Sequence, residues 1–291
     1  MTLPPIVNLR ASDASVVSSP SSPSQALALL TLHGKGPCMA PIARELGCEL
    51  VVVDDFDTDS LGTFTGEVGR AGTQLQAAQR KAELAAQRAG CRYGLGSEGS
   101  FGPDPYLGLS AWGTEVVAWH DAQEARFVHA VAQGPDVVYA QAEVRSLDEA
   151  LDFARRHQFP SHGLVIGRPG EAVFSKDVAD LTAFEHRVRA GLAQGSVWLE
   201  TDMRAHRNPT RMAMIARAAD ALAARLACRC PGCDRRGFGV VRLVPGACCQ
   251  ACLRPTEQAR AQLLQCDACG FEQTQALRSV VPPTHCAHCN P

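Results

Sequence analysis

Eight cysteines in the last quarter of the chain form four Cys-x-x-Cys pairs: Cys230/Cys233, Cys249/Cys252, Cys266/Cys269 and Cys286/Cys289. Such a turn aims two sulfurs at one point, and two turns facing each other make a four-thiolate cage for zinc. Fifteen residues separate the first pair from the second, and sixteen separate the third from the fourth. Sequential pairing, first with second and third with fourth, closes two similar loops and is the expected order. Only thirteen residues lie between the second and third pairs, so a nested order is geometrically open. Residues 228–291 hold too little apolar material for a core, and two structural zinc ions would supply the folding energy. Iron–sulfur ligation is the rarer alternative. A disulfide scaffold needs an oxidising compartment, and no secretory leader is seen. Cys38, Cys48 and Cys91 read as small buried hydrophobes. Cys228, Cys248, His285 and His288 flank the pairs and blur the ligand choice.

Four polar runs carry the remaining chemistry. Thr31-Leu32-His33-Gly34-Lys35-Gly36 follows an apolar run and precedes a helical one. A Gly-containing loop between strand and helix, with one lysine, suits a phosphate. Asp57-Thr58-Asp59 and Gly62 to Glu67 interleave carboxylates with hydroxyls, a composition fit for magnesium or for a solvated acidic loop. In Ser97-Glu98-Gly99-Ser100-Phe101-Gly102-Pro103, glycines admit close backbone approach to a ligand. Glu98 would serve there as metal ligand or base, with Ser97 and Ser100 as hydrogen-bond partners. In the run from Thr201 to Met212, Asn208 is the expected N-cap and Pro209 the first helical residue. Asp202, Arg204, His206, Thr210 and Arg211 crowd that helix start, which suits an anion.

These runs need elements to position them. Apolar strand-like segments occur at Ala28–Leu32, Glu49–Val53, Glu115–Trp119, Gly163–Ile166 and Ser196–Glu200, with helical patterns between them. Thr73 with Gln76 and Ser146 with Glu149 read as capping boxes opening helices to Ala89 and His157. A long helix is expected from Pro209 to about Leu226. Such alternation predicts an α/β domain with a mixed or parallel sheet. The expected organisation is a disordered Ser/Pro-rich leader over 1–25, an α/β domain over 26–227 and tandem zinc ribbons over 228–291.

Charge narrows the partners. Residues 228–291 carry seven arginines and four acids. Each zinc-loaded cage adds −2, so the metallated tail is near −1, which argues against tight nonspecific nucleic-acid binding. Aromatics are 5% of residues, too few for a base-stacking platform. No apolar run approaches a membrane span, and a cytoplasmic location is expected.

The Gly-Thr-Phe-Thr-Gly-Glu, Ser-Glu-Gly-Ser-Phe-Gly-Pro and Thr-Asp-Met-Arg-Ala-His-Arg-Asn-Pro-Thr-Arg-Met runs, with the terminal Cys-Asn-Pro, resemble a bacterial family of unknown function, number 6671. Residues 28–105 also resemble house-cleaning nucleotide pyrophosphatases of the inosine-triphosphatase type, in the order Gly-Lys loop, helix, acidic loop, Ala/Lys-rich helix and Gly-x-x-Glu-Gly. In that likeness Lys35 matches a phosphate-contacting lysine and Glu98 an acidic residue at a magnesium site. It departs from the pattern around His33. The expected activity is magnesium-dependent hydrolysis of nucleotide-type phosphoanhydrides, with Lys35, Glu67 and Glu98 as catalytic residues and Glu67 or Asp57 joining Glu98 at the metal. Thr31, His33, Ser97, Ser100, Asp202, Arg204, His206, Asn208, Thr210 and Arg211 would contact the substrate. The alternative is a non-enzymatic adaptor whose ribbons bind a protein or RNA.

Overall fold

The computed structural model describes residues 6–9, 26–55, 72–168 and 175–291. Asp57, Asp59 and Glu67 lie outside them. The chain divides into two compact units, 1–222 and 223–291. In the described residues no helix is long and apolar enough to cross a membrane.

The first unit begins with β1 (Ile6–Leu9), β2 (Ala26–Leu30), α1 (Gly36–Leu46), β3 (Glu49–Val53), α2 (Gln74–Ala89), β4 (Tyr93–Pro103), β5 (Ala111–Asp121) and β6 (Arg126–Gly134). These strands form one mixed sheet in the order β1-β3-β2-β4-β5-β6. The strands from β1 to β4 pair in parallel, and β4, β5 and β6 pair antiparallel. Both kinds of pairing follow from the connections: helices α1 and α2 carry parallel crossovers, and short turns carry hairpins. Part of the Ser/Pro-rich leader thus adds a strand, since Ile6–Leu9 runs beside β3.

The Ser97–Pro103 run lies within the eleven-residue strand β4, in which Gly94 and Gly96 serve packing. A Cβ at Gly94 or Gly96 would collide with the carbonyl oxygens of Ala82 and Ala78 on α2. That helix turns Ala77, Ala78, Ala82, Ala85 and Ala86 inward, so an alanine face lies against a glycine strand. Thr73 and Gln76 complete the expected capping box. Ser146 caps its helix, but Glu149 reaches back to the amide of Arg145.

The unit continues with β7 (Gln141–Val144), α3 (Leu147–Arg156), β8 (Leu164–Gly167), α4 (Leu181–Leu192) and β9 (Val197–Thr201). The three strands form an antiparallel sheet, β7-β9-β8. Its core is Val144, Phe153, Leu164, Val178, Phe184 and Leu199. A 3-10 turn at Ala205–Arg207 then leads into α5 (Pro209–Ala227).

The second unit contains β10 (Gly239–Pro245), β11 (Cys248–Cys249), β12 (Ala259–Gln265), β13 (Glu272–Ala276) and β14 (Val280–Val281). β10, β12 and β13 form an antiparallel meander, and β11 pairs with β14 in parallel. One of its apolar clusters is small, with Phe238 between Cys230 and Cys266.

Candidate functional site

Two cysteine tetrads assemble in residues 223–291: Cys230, Cys233, Cys266 and Cys269, then Cys249, Cys252, Cys286 and Cys289. The pairing is interleaved, first with third and second with fourth, which corrects both the sequential and the nested expectations. The meander is the reason. β10 carries the chain from the first Cys pair to the second, and β12 returns beside it, with Gln265 opposite Gly239. That return sets the third pair beside the first. β13 runs out again, with Ala276 opposite Ala261, so the fourth pair joins the second. The loop closed by the first cage is about twice the sequential one, an entropic cost of only about 0.7 kcal/mol. Strand pairing easily exceeds that. Seven-residue strands separate the cages by on the order of 20 Å.

The geometry fits a metal. A tetrahedral ion with sulfurs at ~2.3 Å sets sulfur–sulfur edges near ~3.8 Å. The observed Sγ–Sγ separations are 3.6 and 3.7 Å in the first tetrad and 3.8 and 3.6 Å in the second. Cys233 and Cys286 are pulled down to about 7, first by hydrogen bonds from backbone amides. Their cage partners Cys269 and Cys289 are pushed up to about 12 by the neighbouring sulfurs, so without a metal each tetrad offers one readily formed thiolate near neutrality. Neither Cys228, Cys248, His285 nor His288 belongs to a tetrad.

In the first unit the polar runs converge on the carboxyl end of β2. Leu29 on β2 pairs with Leu95 on β4, so Ser97, two residues on, lies beside the end of β2. Lys35, at the start of α1, donates from Nζ to Ser97 Oγ at 2.9 Å. Both are buried, at 7% and 2% exposure. Thr31 Oγ1 accepts from the amide of His33 and shapes the loop. His33 and His206 bring their rings to 5.1 Å. Burial, then Lys35 and His206, hold His33 down at about 3, so it is neutral. Burial and then the charge of Arg204 lower His206 as well. Among the described residues the sheet therefore gathers His33, Lys35, Ser97, His206 and Arg211 from three separate runs.

Alternation along β4 divides the predicted catalytic groups. Ser97 and Gly99 share a face with Glu115, the cross-strand partner of Gly99. A Cβ at Gly99 would strike the Glu115 carboxylate. Glu98 and Ser100 project to the α2 side. There Glu98 Oε2 holds Lys81 Nζ at 2.7 Å, and Ser100 donates to Gln74. Gln74 in turn donates to the carbonyls of Glu98 and Thr114. Lys35 still feels the charges of Lys81 and Glu98.

Three cations near Lys35 already hold carboxylates. Arg211 Nε donates to Glu115 Oε1 at 2.6 Å, with both side chains essentially inaccessible. Arg211 also donates to the carbonyl of Met203 and lies over the Phe101 ring. Arg204 grips Asp202 and Asp177, and Lys81 holds Glu98. Lys35 alone of these four has a neutral hydroxyl as its hydrogen-bond partner. Burial, then Arg211, pull its ammonium down to about 7. Glu115 Oε2 is buried without a hydrogen-bond partner.

The predicted helix-start anion site is otherwise occupied. Asn208 caps α5 as expected, and its Oδ1 takes the amide of Arg211 and the hydroxyl of Thr210. Its Nδ2 donates to the carbonyl of Val138, and Thr210 accepts from the Val138 amide. These two residues fasten α5 to the chain after β6. A surface cavity of about 450 Å³ beside α3 is lined by Asp148, Asp152 and Arg156 and by none of the predicted residues.

The expected magnesium ligands Asp57 and Glu67 lie outside the described residues. Glu98 and Glu115 each hold a cation, and the two cysteine tetrads are the only groups of three or more metal-type ligands among those residues. Glu115 and Lys81 escaped the sequence reading. Lys81 had a signal: it lies three or four residues from Ala77, Ala78, Ala85 on the inward face of α2. Glu115 stood at the edge of an apolar run and read as a strand end.

The family model of a domain of unknown function, DUF6671, matches residues 81–291. This chain belongs to that family. The DUF6671 match includes Lys81, Glu98, Glu115, Arg211 and all eight tetrad cysteines, and begins after His33 and Lys35. No curated protein and no solved structure matches the chain.

Proposed function

We propose that this protein carries two structural zinc ions in residues 223–291 and binds a phosphorylated, nucleotide-like small molecule in residues 1–222, hydrolysing its phosphoanhydride. The observation that carries the ligand reading is Lys35, a buried lysine bonded to a hydroxyl while its neighbours hold carboxylates. A buried ammonium is costly unless paired, and an anionic oxygen from a ligand would complete it. The location supports this, since α/β sheets bind ligands outside the carboxyl ends of parallel strands. The N-terminus of α1 and the half-buried His33 face the same loop and add donors. The nucleotide and hydrolytic parts rest on the resemblance to inosine-triphosphatase-type enzymes. Zinc is the reading for the tetrads because four thiolates in a closed tetrahedral cage are its usual structural environment.

Titration calorimetry with pyrophosphate and nucleoside triphosphates tests the site. Wild type should bind, and Lys35→Met should weaken binding at least tenfold. Equal affinity in both would remove Lys35 from ligand binding. Glu98→Gln tests turnover. If Glu98 acts directly, pyrophosphate release collapses. If it only anchors α2 through Lys81, most of the rate survives.

A non-enzymatic adaptor is the second reading. It draws on the exposed Val240, Val241 and Leu243 of β10 and on the fully exposed β13. Complete absence of ligand binding by residues 1–222 would favour it.

A further inference from the structure

We propose that Ser97 and Lys35 form a nucleophile–base pair, in which Ser97 Oγ attacks the phosphorus of the bound ligand while Lys35 Nζ takes its proton. The proposal rests on the phosphorylated-ligand reading and names the groups that would react.

The juxtaposition is built by the sheet. Parallel pairing of β2 with β4 sets Ser97 beside the end of β2, and the turn into α1 returns Lys35 onto it. The 2.9 Å contact links residues 62 positions apart. A base within about 2.6–3.2 Å of a hydroxyl is the arrangement a serine nucleophile requires. Serine–lysine pairs replace serine–histidine in some hydrolases.

The choice of lysine is informative. The chain contains 25 arginines and three lysines, and arginine holds the neighbouring carboxylates of Glu115, Asp202 and Asp177. A guanidinium cannot release its proton, whereas a buried amine beside other cations can. Burial and Arg211 pull Lys35 to about 7, so near neutrality both forms are populated, the ammonium to meet the anion and the amine to take the serine proton. The ammonium formed by proton transfer is stabilised by Glu115, which raises the affinity of Lys35 for a proton and keeps one oxygen unpartnered.

The chemistry balances without a further reagent. The Oγ–P bond forms as the bond from phosphorus to the leaving oxygen breaks. The serine proton passes to Lys35 and then to that leaving oxygen. Water attacks the phosphoserine, gives one proton to Lys35, and the Oγ–P bond breaks as Ser97 regains that proton. The net change is addition of one water across the phosphoanhydride.

The test uses the full-length, metal-loaded protein and diisopropyl fluorophosphate, an uncharged phosphoryl fluoride. Mass spectrometry at pH 8 should find one adduct, on Ser97, absent from Ser97→Ala. The wild-type labelling rate should fall about tenfold per pH unit below 7, as Lys35 becomes protonated. Lys35→Arg keeps the cation but cannot accept a proton, so it should retain pyrophosphate binding by calorimetry and lose labelling at least a hundredfold. No Ser97 adduct in wild type, a flat pH profile, or wild-type labelling in a folded Lys35→Arg protein would overturn the pair. Failure of wild type to bind pyrophosphate, with Ser97 still labelled, would instead sink the phosphate reading and leave the pair standing.

Discussion

The tetrads of residues 223–291 and the polar cluster around Lys35 solve opposite problems. The tetrads hold eight identical donors, half of them half-buried or exposed, in a unit with little apolar core. There the metal-binding side chains are themselves the interior, with Cys230 and Cys266 packed on Phe238. The Lys35 cluster mixes ammonium, guanidinium, imidazole, carboxylate and hydroxyl inside an aliphatic sheet that would fold without them. In the first region, on the zinc reading, chemistry would make the fold, because metal binding would contribute the free energy that burial lacks. In the second the fold makes the chemistry, because the sheet forces charged groups into a place where water does not screen them. A ligand change should therefore unfold the tail, and a change in the cluster should alter protonation and partners first.

The largest effect tests the cage topology. Cys233→Ser with Cys266→Ser removes two ligands of one interleaved cage, so elemental analysis should still find about one metal per chain. Sequential pairing would lose both. Cys233→Ser with Cys252→Ser strikes both cages and should leave residues 223–291 metal-free and unfolded. Zinc folding energies of about 10–16 kcal/mol make this a loss of structure.

The next effect asks whether the cluster is as dispensable to folding as the contrast implies. Arg211→Met strands Glu115, which is fully buried, and should cost about 3–5 kcal/mol in urea unfolding. Replacing both partners by apolar residues should recover most of that loss. If it does not, the cluster is a folding element, and the contrast with the tetrads narrows.

Gly96→Ala probes the scaffold alone. Its Cβ would press on the backbone of α2 at Ala78, and the cost should be about 1–3 kcal/mol with metal content unchanged. Loss of metal in that variant would show that the two units do not fold independently.

A further signal is a slope with pH. Lys35 is depressed from 10.5 to about 7 in the folded state, so between those values the unfolded chain binds more protons. Stability of wild type relative to Lys35→Met should rise with pH across that window, by at most about 1.4 kcal/mol per unit. Below pH 7 both states are protonated and the difference should be constant. A flat difference throughout would mean that Lys35 stays charged when folded.

Local spacing determined which sulfurs converge in pairs and where helices begin. Two sulfurs three residues apart must converge, and Thr73, Asn208 and Pro209 satisfy or forgo amides within one turn of themselves. The α/β alternation was legible for the same reason: burying one face imposes a period on neighbouring residues. The interleaved pairing of the cages was decided by the tertiary structure, because strand register outweighs a loop entropy that grows only with the logarithm of length. So was the division of Ser97 from Glu98 onto opposite faces of β4. In the sequence the glycines after Ser97 read as room for a ligand, whereas the alanine face of α2 shows why β4 needs Gly94 and Gly96. The partners of Lys35 were likewise invisible, since Ser97, Glu115 and Arg211 lie 62 to 176 positions along the chain. The meeting of Ser97 and Glu115 follows from which strands pair, and a one-residue slip in the register of either strand would turn its residue to the other face.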